Sequence, residues 1–213
     1  MSDDTIEELE SLRNVYLILS DLLIREVDRE SLALLRSGQM PGFLKNIGVD
    51  LSPGEGEGDE KLLDELAAEY SALFVQPGSA PPYESVALSG RLLAPEADKV
   101  EITYQKNGFD YRKAHPNIFP DHVAIELAFI ASLLEARSKE MKNGNNDAAG
   151  ELEGERISFI SAHPAKWMRD YFIKVSSKAK APFYAGLLDF AGGFIESEAD
   201  EAAAKGAQAA ARP

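Results

Sequence analysis

The chain has 213 residues, 45% of them hydrophobic and 27% charged, enough to bury one sizeable core or two small lobes. It has no cysteine, which excludes a disulfide framework, thiolate zinc sites, iron–sulfur ligation and a cysteine nucleophile. Its 36 acidic and 22 basic residues give a net charge of -14, which repels nucleic acid backbones, favours basic partners at long range and at the least promotes solubility.

Residues 1–10 are acidic and polar, without the basic and apolar segments of a secretory signal, and no apolar run reaches the roughly 18 residues a membrane span needs. The expected location is the cytoplasm. From Ile6, apolar residues at Leu9, Leu12, Tyr16, Leu19 and Leu23 recur every three or four positions and predict a helix. A short helix is expected over Ser31 to Leu35, Pro41-Gly42 reads as a break, and 52–60 reads as a flexible acidic loop. Leu62, Leu63, Leu66, Tyr70, Leu73 and Phe74 form the next amphipathic face, which stops near Gln76-Pro77-Gly78.

Val100 to Tyr111 admits two readings. Alternation of Val100, Ile102 and Tyr104 before Asn107-Gly108 suits a hairpin, whereas Pro95 at one end and Asn107-Gly108 at the other suit a helix. Helical neighbours on both sides favour the helix. Asp121 to Arg137 is apolar on more than one side and belongs in the middle of a bundle. Residues 143–150 read as a surface loop. Trp167, Tyr171, Phe172 and Val175 mark another helix, and Phe183, Leu187, Phe190, Ala191 and Phe194 mark the last. The segment 196–213 is alanine-rich and acidic, with no large apolar residue, and is expected to be a frayed or disordered tail. The fold class is therefore all-α: one globular helical bundle over 1–195, with two lobes joined by a loop.

Catalytic patterns are sparse. The three histidines are His115, His122 and His163, and His115 and His163 each precede a proline. His122 and Glu126 lie four apart beside Asp121, but the paired Glu-x-x-His set of a di-iron bundle is missing. The plainer reading is an Asp that caps a helix and a His that bonds a neighbouring loop. There is no phosphate-binding loop, and Ser85 sits in no Gly-x-Ser-x-Gly elbow that would make it a nucleophile beside His122 and Asp121. Pro81-Pro82 stiffens the chain ahead of Tyr83, near the Tyr70, Leu73, Phe74 face, a combination suited to clamping an extended peptide; Leu73 and Phe74 equally suit a core.

These segments resemble motifs of the TorD/DmsD/NarJ family of redox-enzyme maturation chaperones. Glu69-Tyr70-x-x-Leu73-Phe74 is similar to the family's aromatic-x-x-Leu-Phe motif, and Pro81-Pro82-Tyr83-Glu84-Ser85-Val86 to the proline-aromatic-Ser turn that follows it. Pro120-Asp121-His122, with Glu126-Leu127 and Phe129-Ile130, resembles the family's Pro-x-Asp-His helix start and Glu-Leu-x-Phe continuation. The likeness spans roughly residues 8 to 195. Phe119 stands directly before Pro120, where the family usually spreads an acidic residue and prolines.

The resemblance implies a TorD-like helical domain and a non-enzymatic cytoplasmic chaperone. Such a protein binds the twin-arginine signal peptide or N-terminal region of an apo molybdenum-cofactor oxidoreductase and assists folding, cofactor insertion and export proofreading. The resemblance implies no cofactor or metal of its own, no nucleic acid and no stable membrane insertion. The peptide-binding residues it implies are Tyr70, Leu73, Phe74, Pro82, Tyr83, Glu84, Asp121 and His122. Asp121 and Glu84 offer carboxylates to the paired arginines. Two other readings stay open: a metal-dependent enzyme using Asp121, His122 and Glu126, and a structural subunit of an oxidoreductase. The client and the oligomeric state, monomer or helix-exchanged homodimer, are not set by the residues.

Overall fold

A computed structural model describes residues 5–51 and 58–210, with 209 and 210 described by backbone alone. Among the described residues there are ten α-helices and no strand: α1 (Ile6–Ile24), α2 (Arg29–Leu35), α3 (Met40–Asn46), α4 (Asp59–Tyr70), α5 (Glu84–Ser89), α6 (Pro95–Lys106), α7 (Val123–Lys142), α8 (Asn146–Ala162), α9 (Pro164–Ser176) and α10 (Pro182–Ala210). A π-helical turn, Ser71–Val75, follows α4. The chain divides into two compact units. One takes the described residues up to Ile24, Tyr83–Met168 and Ile195 onward; the other takes Arg25–Pro82 and Arg169–Phe194. The chain thus passes from one unit to the other four times, not through one joining loop.

In the first unit α7 is the core helix, packed against α1 and α8. Val123, Ala124, Ile125, Leu127, Phe129, Ile130, Leu133 and Leu134 are all buried, so apolar residues on several sides of one helix find partners on several sides. The rings of Phe129 and Phe159 meet at 4.6 Å and those of Tyr104 and Phe129 at 4.8 Å. Residues 95–106 are helical, with Pro95 in the first turn, where its missing N–H leaves no bond unmade. The same reasoning corrects Pro41-Gly42: Pro41 lies in the first turn of α3 and starts a helix where a break was expected.

Two further expectations are corrected here. The loop expected over 143–150 is confined to Asn143-Gly144-Asn145, because α8 already begins at Asn146. The tail expected to be disordered continues α10 as far as Ala210. Charge holds it, alongside the small buried side chain of Ala202. Glu198 accepts hydrogen bonds from the Tyr16 hydroxyl (2.8 Å) and from Arg156 (2.7 Å), and Lys205 donates to Glu153 (2.8 Å). Glu153 also accepts from Arg137 (2.9 Å) and Arg156 (2.9 Å and 3.0 Å), so one buried network ties α1, α7, α8 and α10. Of the loop expected over 52–60, residues 52–57 lie outside the described residues, and α4 begins at Asp59.

The second unit gathers Leu66, Tyr70, Leu73, Phe74, Phe172, Tyr184, Leu187 and Leu188 into its core. Gly186, inside α10, allows the backbone of the 47–49 segment to lie against the helix: a Cβ there would collide with the Ile47 carbonyl oxygen and stand 2.9 Å from Val49 Cγ2. Ahead of α10, Glu69 accepts hydrogen bonds from the backbone N–H groups of Lys180 and Ala181, the latter at 2.7 Å. Donors that precede the first helical turn are thereby satisfied.

Gly186→Ala is expected to destabilise the protein by about 1–3 kcal/mol through this overpacking, read as a lowered denaturant midpoint. A second expectation concerns acid. Burial pushes the Glu153 carboxyl up, but hydrogen bonds and charge from Arg156, then Lys205 and Arg137, outweigh it and hold it at about 2. The ordinary value, which the unfolded chain retains, is 4.5. Stability from this group is therefore complete above pH 4.5 and is lost as pH falls towards 2, by up to about 3 kcal/mol. Denaturation of wild type and Glu153→Gln across that window should show the loss in wild type and a flatter profile in the variant.

Candidate functional site

Asp121 and His122 do not share a helix turn. His122 is the N-cap of α7, in an extended conformation, and its Nδ1 accepts a hydrogen bond from the Ala124 N–H at 3.1 Å. The imidazole is thus held with Nδ1 unprotonated. Burial, then the nearby His115, lowers its pKa to about 3, so the ring is neutral at physiological pH. Asp121 lies one residue outside the helix and serves another one. Its backbone carbonyl accepts from the Glu84 N–H (2.9 Å) and its Oδ2 accepts from the Ser85 N–H (2.9 Å). These are the first two residues of α5, so Asp121 caps α5 from 36 residues away. A single antiparallel bridge between Tyr83 and His122 completes the junction, and the Tyr83 ring stands 5.0 Å from His122 and 5.8 Å from Phe119.

Beneath this junction lie more acids. The Glu84 carboxylate meets His163 Nδ1 at 2.8 Å, and both side chains are buried. Glu126, fully buried on α7, accepts from the Trp167 indole N–H at 3.4 Å. Burial, reinforced by the charges of Glu84 and Asp121, raises the Glu126 carboxyl well above its ordinary range. One oxygen each of Asp121 and Glu126, and the Ser85 hydroxyl, have no hydrogen-bond partner among the described residues.

The eight residues singled out from the sequence fall into two groups. Tyr83, Glu84, Asp121 and His122 come together in the first unit as described. Tyr70, Leu73, Phe74 and Pro82 belong to the second, where the rings of Tyr70 and Phe74 lie 4.9 Å apart and Tyr184 stands 6.3 Å and 6.1 Å from them. The π-helical turn sets this group: Gln76 N–H bonds to the Ser71 carbonyl five residues back, and Leu73 and Phe74 are turned inward together. Side chains of Glu84, Asp121 and His122 are between 0 and 3% exposed, so none presents itself at the surface. Among the described residues no group of three or more His, Cys, Asp or Glu side chains is placed to hold a metal ion. Asp121, His122 and Glu126, considered together for a metal, turn instead to Ser85, Ala124 and Trp167. His163 was not legible as a member, because its partner Glu84 is 79 residues away and only its position before Pro164 marks it.

The chain belongs to the nitrate reductase delta subunit family, the NarJ/TorD group of redox enzyme maturation chaperones, whose model matches residues 37–172, more than half of the sequence. It is similar to the chaperone protein TorD of Shewanella pealeana, 27% identical over 207 residues, covering 87% of each chain. It is also similar to that of Colwellia psychrerythraea, 27% identical over 221 residues, covering 86% of this chain and 88% of the relative. A structure assigned as a redox enzyme maturation protein of Archaeoglobus fulgidus is 21% identical, with a TM-score of 0.48 over 88% of this chain and 93% of that one. The family is one of chaperones, without enzymatic activity.

Two outcomes follow from the junction. Because the Glu126 carboxyl is raised in the fold, stability falls as pH rises above 4.5, its ordinary value, where the unfolded chain ionises more readily than the fold. Glu126→Gln should remove that slope and be at least as stable as wild type at neutral pH, with the difference shrinking below pH 4.5. Asp121→Ala should cost about 1–3 kcal/mol by leaving the α5 N–H groups unpaired, measured by denaturant unfolding, with Asp121→Asn recovering most of it.

Proposed function

We propose that this chaperone binds the twin-arginine signal peptide, or the N-terminal region that carries it, of a molybdenum-cofactor oxidoreductase in the cytoplasm. By holding that region it keeps the apo-enzyme unexported and open to cofactor insertion. The observation that carries this reading is the junction of Tyr83-Glu84-Ser85 with Asp121-His122, which joins the two segments matching the family's motifs. Charge supports it as well. A net charge of -14 attracts a leader with paired arginines at long range and raises its rate of encounter.

Titration of the full-length protein with a fluorescently labelled twin-arginine leader, beside the same leader carrying two lysines, tests the proposal. Arginine presents a planar fork that lysine lacks, so the Arg-Arg leader should bind at least about tenfold more tightly. Equal or absent binding of both, across leaders of several molybdoenzymes, would sink it. Recovery of the protein as a fixed component of mature, cofactor-loaded enzyme would point instead to a structural subunit.

A further inference from the structure

Phe119 and Pro120, the residues just ahead of Asp121-His122, line a groove of about 490 Å³ in the first unit. One wall is the turn after α5 and the start of α6, with Leu93, Ala97, Asp98 and Glu101; the other is the 111–120 segment, with Tyr111, Ile118 and Phe119. Leu93 is the one non-glycine residue with positive φ among the described residues, at 54°, a conformation leucine resists. Its side chain is nonetheless 59% exposed, so no packing within the fold compensates the strain. Leu92, its neighbour in the chain, and Leu88 of α5 are also exposed, at 50% and 45%.

The polar side of the groove is organised too. Both terminal nitrogens of Arg112 donate to Glu101, at 2.6 Å and 2.9 Å, and the guanidinium lies 5.2 Å from the centre of the Tyr111 ring. That carboxylate is neutralised in place. Asp98, one helical turn before it, is exposed and forms no ion pair among the described residues. The groove therefore offers one free carboxylate beside an exposed apolar lip, the complement of a basic residue followed by apolar ones.

We infer that this groove is where the leader peptide is held, with an arginine on Asp98 and the apolar residues that follow over Leu93, Ile118 and Phe119. The inference rests on the leader-binding reading above and sharpens it. Asp121 and His122, buried and turned to α5 and to Ala124, are positioning residues that fix Phe119 and Pro120 in the groove wall. They do not touch the arginines.

Anisotropy titration of a labelled twin-arginine leader against the full-length protein and its variants tests this. Glycine accepts positive φ, so Leu93→Gly should keep or raise the melting temperature while weakening the leader by at least about tenfold. Asp98→Lys should weaken it similarly, and more than Asp64→Lys, which makes the same change in net charge at an exposed position in the second unit. Asp121→Ala should weaken binding and Asp121→Asn should restore it, because an amide oxygen still accepts from Ser85. If wild type binds the leader and the Leu93 and Asp98 variants bind equally well, the groove is overturned while the functional reading stands. If Asp64→Lys weakens binding as much as Asp98→Lys, the contact at Asp98 is overturned in favour of long-range charge. Equal loss in Asp121→Asn and Asp121→Ala overturns the positioning role. Absence of binding by wild type overturns both the groove and the reading it rests on.

Discussion

The first unit depends on one junction, the hydrogen bonds by which Asp121 receives the first two N–H groups of α5 just as His122 begins α7. Helix α5 has six residues, too few to be stable alone, and its first N–H groups need acceptors that its own turn does not supply. Asp121 supplies them from a distant part of the chain and so fixes where Tyr83 and the α5 helix lie. The following residue caps its own helix by a different atom, an imidazole nitrogen that accepts only while the ring is neutral. Burial keeps it so. Two adjacent polar residues therefore orient two helices, and the groove wall at Phe119-Pro120 inherits its position from both.

Around that junction the unit handles its buried charges in two ways. In the Glu153 network each buried carboxylate has a basic partner, and Arg156 bridges Glu153 and Glu198. Those charges hold the distal half of α10 against α1 and α8 in a stretch with almost no large apolar side chain. At the junction, by contrast, three carboxyl groups lie close together beside two buried histidines, His122 and His163, and burial pushes the Glu126 carboxyl up. The first arrangement stabilises; the second accepts a cost. A polar cluster whose Glu126 carboxyl is raised by burial accepts a cost in stability, and its member Asp121 directly follows Phe119 and Pro120 of the groove wall.

Much of the secondary structure was legible in the sequence because it rests on periodicity. The face from Ile6 to Leu23, the many-sided apolar pattern of Asp121 to Arg137 and the Phe183 to Phe194 stripe each predict a helix, and α1, α7 and α10 lie there. Errors came where local signals mislead. Pro41-Gly42 resembles a break yet opens a helix, since a proline in the first turn forgoes nothing. The alanine-rich end after Ile195 looks unanchored because its anchors are Glu198 and Lys205, whose partners Tyr16, Arg156 and Glu153 are far away in the chain.

The motif residues show the same division. Identity and order along the chain, Tyr70-x-x-Leu73-Phe74, Pro82-Tyr83 and Asp121-His122, were enough to place the chain among maturation chaperones and to set its all-helical class. They were not enough to say which way each side chain points. Whether a carboxylate faces a ligand or a neighbouring helix is decided by what packs above it, and Asp121 faces Ser85, Glu84 faces His163 and Glu126 faces Trp167. The free carboxylate and strained leucine that line the groove, Asp98 and Leu93, carry no sequence signal. Exposure and backbone conformation arise only when distant segments meet, and a pattern of residue types along one chain does not contain them.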